Sequence, residues 1–389
     1  GRRPAGLGVG LALRWWSTDM KITKARVAAE AVLAAGVAAA AASAATAAFL
    51  RRWASQPDPA QDEDFSEPTG TVHRILAAED GGQIHVVERG AGRPFLLIHG
   101  VTNSTEIWHY QLRDLVEAGY RAVAMDVRGH GRSKAGTDEY SLAAMAADAY
   151  RVICDLGLRD VVAVGHSMGG MILLQLVADH PELMTDGTVT ALVLVATAAR
   201  PVIGSGLPSP ATRLGRALTL RVARGFCRAV ESAERAAALP DAPHSSNGKR
   251  PRPDAADRRP LSVDWRLASM RLIFGSRPSL TLVQRARALS ATVPPELVEQ
   301  LFLTLLELDV RATLGSIRQP VLIVVGTRDT ITPVWHARLL ARRLPVAELH
   351  VLPGSGHVVP FERPDELTWL LTDFAARSEP VADLPAPSP

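Results

Sequence analysis

The run Gly165-His166-Ser167-Met168-Gly169-Gly170 sets a serine between two glycines, directly after an apolar stretch fit for a strand and directly before a helical pattern. A strand-to-helix turn that sharp crowds the positions two before and two after the serine, which gives glycine at 165 and 169 a steric purpose. It exposes the Ser167 hydroxyl at the top of a sheet and aims the following N–H groups, Met168 first, at a developing oxyanion. A serine hydroxyl is a poor nucleophile until a base takes its proton. Two later segments supply partners in the order acid, then histidine. Gly326-Thr327-Arg328-Asp329-Thr330-Ile331-Thr332-Pro333 puts Asp329 in a loop after one strand, and Pro353-Gly354-Ser355-Gly356-His357 puts His357 after the next. In this scheme His357 is general base and then general acid, while Asp329 orients the ring and stabilises the imidazolium. His166 adjoins the serine, cannot easily reach its hydroxyl in line, and is read as structural.

An oxyanion needs a second donor. His99-Gly100-Val101-Thr102 follows another strand, and Gly100 permits the tight turn that would point the Val101 N–H inward. His99, Gly100 and Trp108 are candidate pocket residues. A further loop, Asp126 through Ser133, is rich in glycine; its Asp126 and Arg128 are read as structural.

Elements that would position these residues recur along the chain. Buried-strand runs are expected at Gln83–Glu88, Pro94–His99, Arg121–Asp126, Val161–Gly165, Thr190–Ala196, Val321–Gly326 and Glu348–Leu352. Helical patterns lie between them at Glu106–Ala118, Ser141–Leu156, Met168–Ala178, Pro333–Arg343 and Pro364–Ala376. This alternation predicts an α/β protein with a mostly parallel sheet and helices on both faces, its chemistry at the strands' C-terminal ends. The alternation breaks between residues 200 and 317, where helical patterns stand at Ala211–Val230, Leu261–Phe274, Ser279–Ala291 and Pro295–Val310.

The ordered set of His99-Gly100, Asp126 through Ser133, Gly165 through Gly169, Asp329 and His357 resembles the α/β-hydrolase superfamily, over roughly residues 71–376. The resemblance implies an eight-stranded-type sheet, with a core of residues 71–199 and 318–376 and a helical cap of residues 200–317. Within the cap, residues 231–260 are rich in Ala, Arg, Pro and Asp and are expected to form a disordered insert. It also implies a serine hydrolase without cofactor or metal, acting on small-molecule or lipid-like carboxylic esters. Serine rather than aspartate at 167 argues against epoxide-hydrolase and dehalogenase chemistry. Cofactor-free haloperoxidases, perhydrolases and carbon–carbon bond hydrolases of the same fold stay open as alternatives. A binding protein that kept the fold without the activity is the reading from another class.

The chain has 389 residues, 47% hydrophobic and 21% charged, with a formal net charge of +3. That balance gives no sign of a nucleic-acid partner, and the high apolar fraction excludes a wholly disordered chain. Cys154 and Cys227 are too few for a disulfide framework or a four-cysteine zinc site. Residues 31–50 carry no charge and follow Lys21, Lys24 and Arg26, which reads as a membrane anchor or a secretory signal, an Ala-rich soluble helix being the alternative. The expected location is therefore membrane-anchored, envelope or secreted. Met20 is read as the better opening of that segment, making residues 1–19 an upstream extension. Residues 1–53 form this N-terminal segment, 54–70 a polar linker and 377–389 an unstructured tail. Nothing in the sequence bears on oligomeric state.

Overall fold

Six consecutive strands of the sheet run parallel, and five of them are buried along nearly their whole length, as strands covered on both faces must be. The computed structural model describes residues 51–138, 140–200, 270, 271 and 273–378, with residues 45, 48 and 49. The strands are β1 (Val72–Ala77), β2 (Gln83–Arg89), β3 (Pro94–Ile98), β4 (Arg121–Met125), β5 (Val161–His166), β6 (Val189–Val195), β7 (Val321–Gly326) and β8 (Ala347–Leu352). Their spatial order is β1-β2-β4-β3-β5-β6-β7-β8. β3 to β8 pair in parallel, while β2 runs antiparallel to both β4 and β1. β5, which carries the serine turn at its end, lies between β3 and β6, so residues 99–102 and 196–199 emerge on either side of it.

β1 is the strand absent from the sequence reading. Its residues are almost all exposed, with Val72 and Ile75 47% and 55% accessible, so no buried face leaves an alternation to read. The helices α1 (His109–Glu117), α2 (Leu142–Asp155) and α3 (Met168–Asp179) follow β3, β4 and β5; a 3₁₀ turn, Thr105–Trp108, precedes α1. Ser141 caps α2 by accepting the Ala144 N–H. α4 (Glu182–Thr185) comes just ahead of β6, and beyond β6 and the undescribed stretch come α5 (Leu280–Ser290) and α6 (Pro295–Glu307). Ser279 caps α5 through the Leu282 N–H. The fold closes with α7 (Val334–Arg343), the short α8 (Val359–Glu362) and α9 (Pro364–Arg377). The expected patterns at 211–230 and most of 261–274, and the insert 231–260, lie outside the described residues.

Part of the stretch read as a linker packs closely. Asp58 accepts the Thr281 N–H at 2.7 Å, at the start of α5. Phe65 packs against His109, Tyr110 and Phe361, with ring centroids 5.0, 6.2 and 6.4 Å away. The Arg285 guanidinium of α5 lies over the Phe65 ring and pairs with Glu106.

No helix among the described residues is long and apolar enough to cross a membrane, which overturns the membrane-anchored or envelope location expected from residues 31–50. Twelve of those twenty residues are alanine, whose small side chains contribute little to partitioning into lipid. Residues 31–44, 46, 47 and 50 lie outside the described residues.

Where α3 leaves the sheet it passes within backbone contact of β3: a Cβ on Gly169 would overlap the Ile98 carbonyl. Gly169→Ala is expected to cost more than about 3 kcal/mol in urea unfolding, or to prevent folding, because the obstructing atoms are backbone and cannot turn aside. Gly315→Ala, where a Cβ meets nothing within 4 Å, is expected to stay within about 0.5 kcal/mol of the parent.

Candidate active site

Ser167 stands at φ 55° and ψ −118°, a backbone conformation that an L-residue adopts only under strain. Two bonds hold it there: the Ser167 N–H donates to the Val195 carbonyl at 2.9 Å, and the Thr197 hydroxyl donates to the Ser167 carbonyl at 2.6 Å. Gly165 faces the Gly169–Gly170 backbone so closely that a side chain there has no space. Two more non-glycine residues with positive φ flank it on the same sheet edge, Thr102 (58°) after β3 and Ala196 (48°) after β6. Strain collected at one rim marks it as a functional site.

His357 Nε2 lies 3.0 Å from Ser167 Oγ. On the ring's other side, Nδ1 lies 3.0 Å from Asp329 Oδ2 and 3.1 Å from Oδ1. Asp329 is fixed in turn by its own loop, accepting the Ile331 and Thr332 N–H groups at 2.9 and 2.8 Å and the Thr332 hydroxyl at 2.7 Å. Burial on its own would raise this carboxyl, but the His357 imidazole and the bonds from His357 and Thr332 outweigh it and hold it at about 2. All three side chains are buried, with Ser167 8% accessible. The hydroxyl, imidazole and carboxylate thus form one unbroken hydrogen-bonded line. Such a line can carry a proton off the hydroxyl and return it.

His166 lies beside that line rather than in it, its ring centroid 5.1 Å from that of His357. Burial, reinforced by the neighbouring His357, pushes its ring down to about 3. The neutral ring donates from Nε2 to the His357 carbonyl at 2.9 Å, and its Nδ1 has no partner among the described residues.

The residues read as an oxyanion hole sit beside the serine. Met168 opens α3, where an N–H has no partner within the helix. A Cβ on Gly100 would stand 2.9 Å from Ser167 Cβ, so the His99–Thr102 loop lies directly against the turn. His99 accepts the Val127 N–H on Nε2 at 2.9 Å and therefore carries its proton on Nδ1, which donates to the Gly100 carbonyl at 2.7 Å. In a trans peptide the carbonyl and the next N–H point opposite ways. By holding the Gly100 carbonyl, His99 thus sets the direction of the Val101 N–H. His99 and Trp108 are both fully buried; His99 supports the loop rather than lining a pocket, and Trp108 meets the His166 ring edge-on at 6.4 Å.

Beneath the loop, Asp126 accepts the Thr105 N–H at 2.7 Å, the Arg132 N–H at 2.9 Å and His85 Nδ1 at 2.7 Å. Arg128 makes two 2.7 Å bonds to Asp148 and one of 2.9 Å to Asp80. Thr197 and Thr332 escaped the sequence reading as site residues, since single threonines in loops carry no pattern; Thr332 alone had a signal, its place three residues beyond Asp329. Among the described residues, no group of three or more His, Cys, Asp and Glu side chains could hold a metal ion.

An eight-stranded sheet of this order with a strained serine at the end of β5 defines an α/β hydrolase. Residues 93–364 match the family described as alpha/beta hydrolase fold, and the chain belongs to it. A non-heme haloperoxidase from Rhodococcus erythropolis is 45% identical over 106 residues, 27% of this chain and 39% of that protein. The chain thus spans well under half of that relative's length. An AB hydrolase superfamily protein from Bacillus subtilis, YisY, is 26% identical over 77% of this chain and 98% of its own. An esterase structure from Exiguobacterium antarcticum superposes with a TM-score of 0.63 at 24% identity, covering 78% of this chain and 100% of that one.

The buried histidines make stability depend on pH. His130 is held down to about 4 by burial and by His99, alongside His166 at about 3. Both stay neutral in the folded protein while the unfolded chain, with histidines near 6.5, takes up protons. Their contribution is complete above about pH 6.5 and is lost as pH falls toward their folded values, at up to about 1.4 kcal/mol per unit for each ring. Urea midpoints measured from pH 7.5 to 5 are expected to fall, and His166→Gln to fall less steeply by one ring's share.

Proposed function

We propose that the protein is a serine hydrolase that cleaves carboxylic esters through an acyl-enzyme. The observation that carries this reading is the 3.0 Å contact of His357 Nε2 with Ser167 Oγ, backed by Asp329 at 3.0 Å. Ser167 Oγ attacks the ester carbonyl while its proton passes to His357, and the Val101 and Met168 N–H groups take the charge on the carbonyl oxygen. The imidazolium, held by Asp329, gives its proton to the leaving alkoxide. Water then attacks the acyl-enzyme, its proton going to His357, and the carboxylic acid leaves as Ser167 regains its hydrogen. The substrates this suits are small-molecule or lipid-like esters of uncharged acyl groups.

The 45% identity over 106 residues with a non-heme haloperoxidase keeps a second reading of the same site in play. There hydrogen peroxide replaces water in the second step and releases a peracid, which oxidises halide in solution.

Ser167→Ala is expected to abolish hydrolysis of p-nitrophenyl esters and labelling by a fluorophosphonate while leaving the circular dichroism spectrum unchanged. Asp329→Asn is expected to lower kcat by about 10⁴, because the imidazole would settle in the wrong tautomer. Full hydrolysis by Ser167→Ala would overturn the proposal. Halogenation that requires peroxide and a carboxylic acid, from protein that cleaves no ester, would favour the second reading.

A further inference from the structure

The reaction proposed for Ser167 gives no role to one half-buried carboxylate on the histidine loop. Glu362 ends α8, five residues beyond His357. Its Oε1 accepts the Gly356 N–H at 3.0 Å and the Val358 N–H at 3.1 Å, the amides on either side of His357. Its Oε2 accepts the Gly356 N–H at 3.0 Å and the Gly275 N–H at 2.6 Å. Every one of these partners is a donor, and only an ionised carboxylate accepts on both oxygens without wasting a hydrogen. Burial raises this carboxyl above its ordinary value, against the pull of the same three N–H groups and of His357.

Gly275 belongs to the stretch that leads into α5, and that stretch lies along the histidine loop. The His357 N–H donates to the Ile273 carbonyl at 2.7 Å, and the Ser276 N–H to the Gly354 carbonyl at 2.9 Å. A Cβ on Gly275 would overlap the Gly354 carbonyl, so the two backbones touch. Arg271 donates to the Gly275 carbonyl at 3.0 Å, steadying the same turn.

We infer that Glu362 is a positioning residue for the His357 imidazole, and that it binds residues 273–276 to the histidine loop as one unit. This rests on reading His357 as the general base. The groups facing His357 are Ser167 and His166 from the serine turn, Asp329 and Thr332 from the acid loop, and Glu362 from α8. Arg271 faces Glu362 from the cap side, with Arg328 near it. His166 stays neutral and Asp329 ionised across the working range. The negative charge on Glu362 therefore stabilises the positive charge that His357 gains on taking the Ser167 proton.

Glu362→Gln keeps the side chain's shape and removes the charge. Its kcat is expected to fall about tenfold with KM within about twofold of the parent, and the acid limb of kcat/KM to move about half a unit toward lower pH. Glu362→Asp, one methylene shorter but charged, is expected to return the limb to its original place with kcat still reduced. A lowered kcat with the limb unmoved in Glu362→Gln would mark a merely structural role and overturn the inference, as would an unchanged kcat. Should the Gln variant fail to fold, Glu362→Asp decides: a limb in place with lowered kcat supports the inference, and parental kcat or a displaced limb rejects it. Ser167→Ala assayed in parallel separates the two levels. If it stays active, the reading of the site falls; if it is dead while Glu362→Gln behaves as the parent, only the role of Glu362 falls.

Discussion

Everything at the site depends on one crowded turn, the passage from β5 into α3 through Ser167. A residue held at φ 55° and ψ −118° costs on the order of 1–3 kcal/mol, and the sheet must supply that. It does so by clamping the turn from three sides: the Ile98 carbonyl of β3 against Gly169, the Val195 carbonyl on the Ser167 N–H, and the Thr197 hydroxyl on the Ser167 carbonyl. The strands supplying the first two are β5's own neighbours. The sheet order is thus a requirement of the turn as much as a frame for it. Any other strand beside β5 would have to rebuild those contacts.

The polar groups buried around the turn follow two strategies. Charged groups are paired and hydrogen-bonded, as Arg128 is with Asp148 and Asp80, and Asp126 with His85 and two backbone N–H groups. Burying such charges is tolerable only with that degree of satisfaction. The imidazoles of His99, His130 and His166 instead stay neutral, His99 and His130 giving both nitrogens and His166 its Nε2 to backbone atoms of the loops near Ser167. A neutral ring with one donor and one acceptor suits this task. It fixes a peptide plane without adding a field that would compete with Asp329.

The parts of this arrangement that were legible in the sequence are those where sterics or strand burial leave no choice. Glycine at 165 and 169 around a serine, between an apolar run and a helix, spells the turn. The apolar runs at Val161–Gly165 and Val321–Gly326 spell strands buried on both faces. The acid was legible because it follows such a run and the histidine because it follows the next strand; the structure puts His357 within hydrogen-bond distance of Ser167, and Asp329 within that distance of His357. β1 was not legible, since an edge strand buries little and its Val72 and Ile75 face solvent. Thr197 acts through the Ser167 carbonyl, 30 residues away, and Glu362 in part through the Gly275 N–H, 87 residues away; no local spacing encodes a partner of that kind. The long uncharged stretch at 31–50 misled because absence of charge was weighed more heavily than the smallness of alanine.

The contacts made by residues 58–65 carry a consequence for how firmly α5 is held. Asp58 holds the leading end of α5, and Phe65 sits between the Arg285 side chain of that helix and the rings of His109, Tyr110 and Phe361. α5 is therefore fastened along its length as well as through the chain on either side of it. Swinging it outward would strip an aromatic ring from its seat and leave the Thr281 N–H without the Asp58 carboxylate. Trimming the chain back past Phe65 would therefore loosen α5 without changing a residue of the helix.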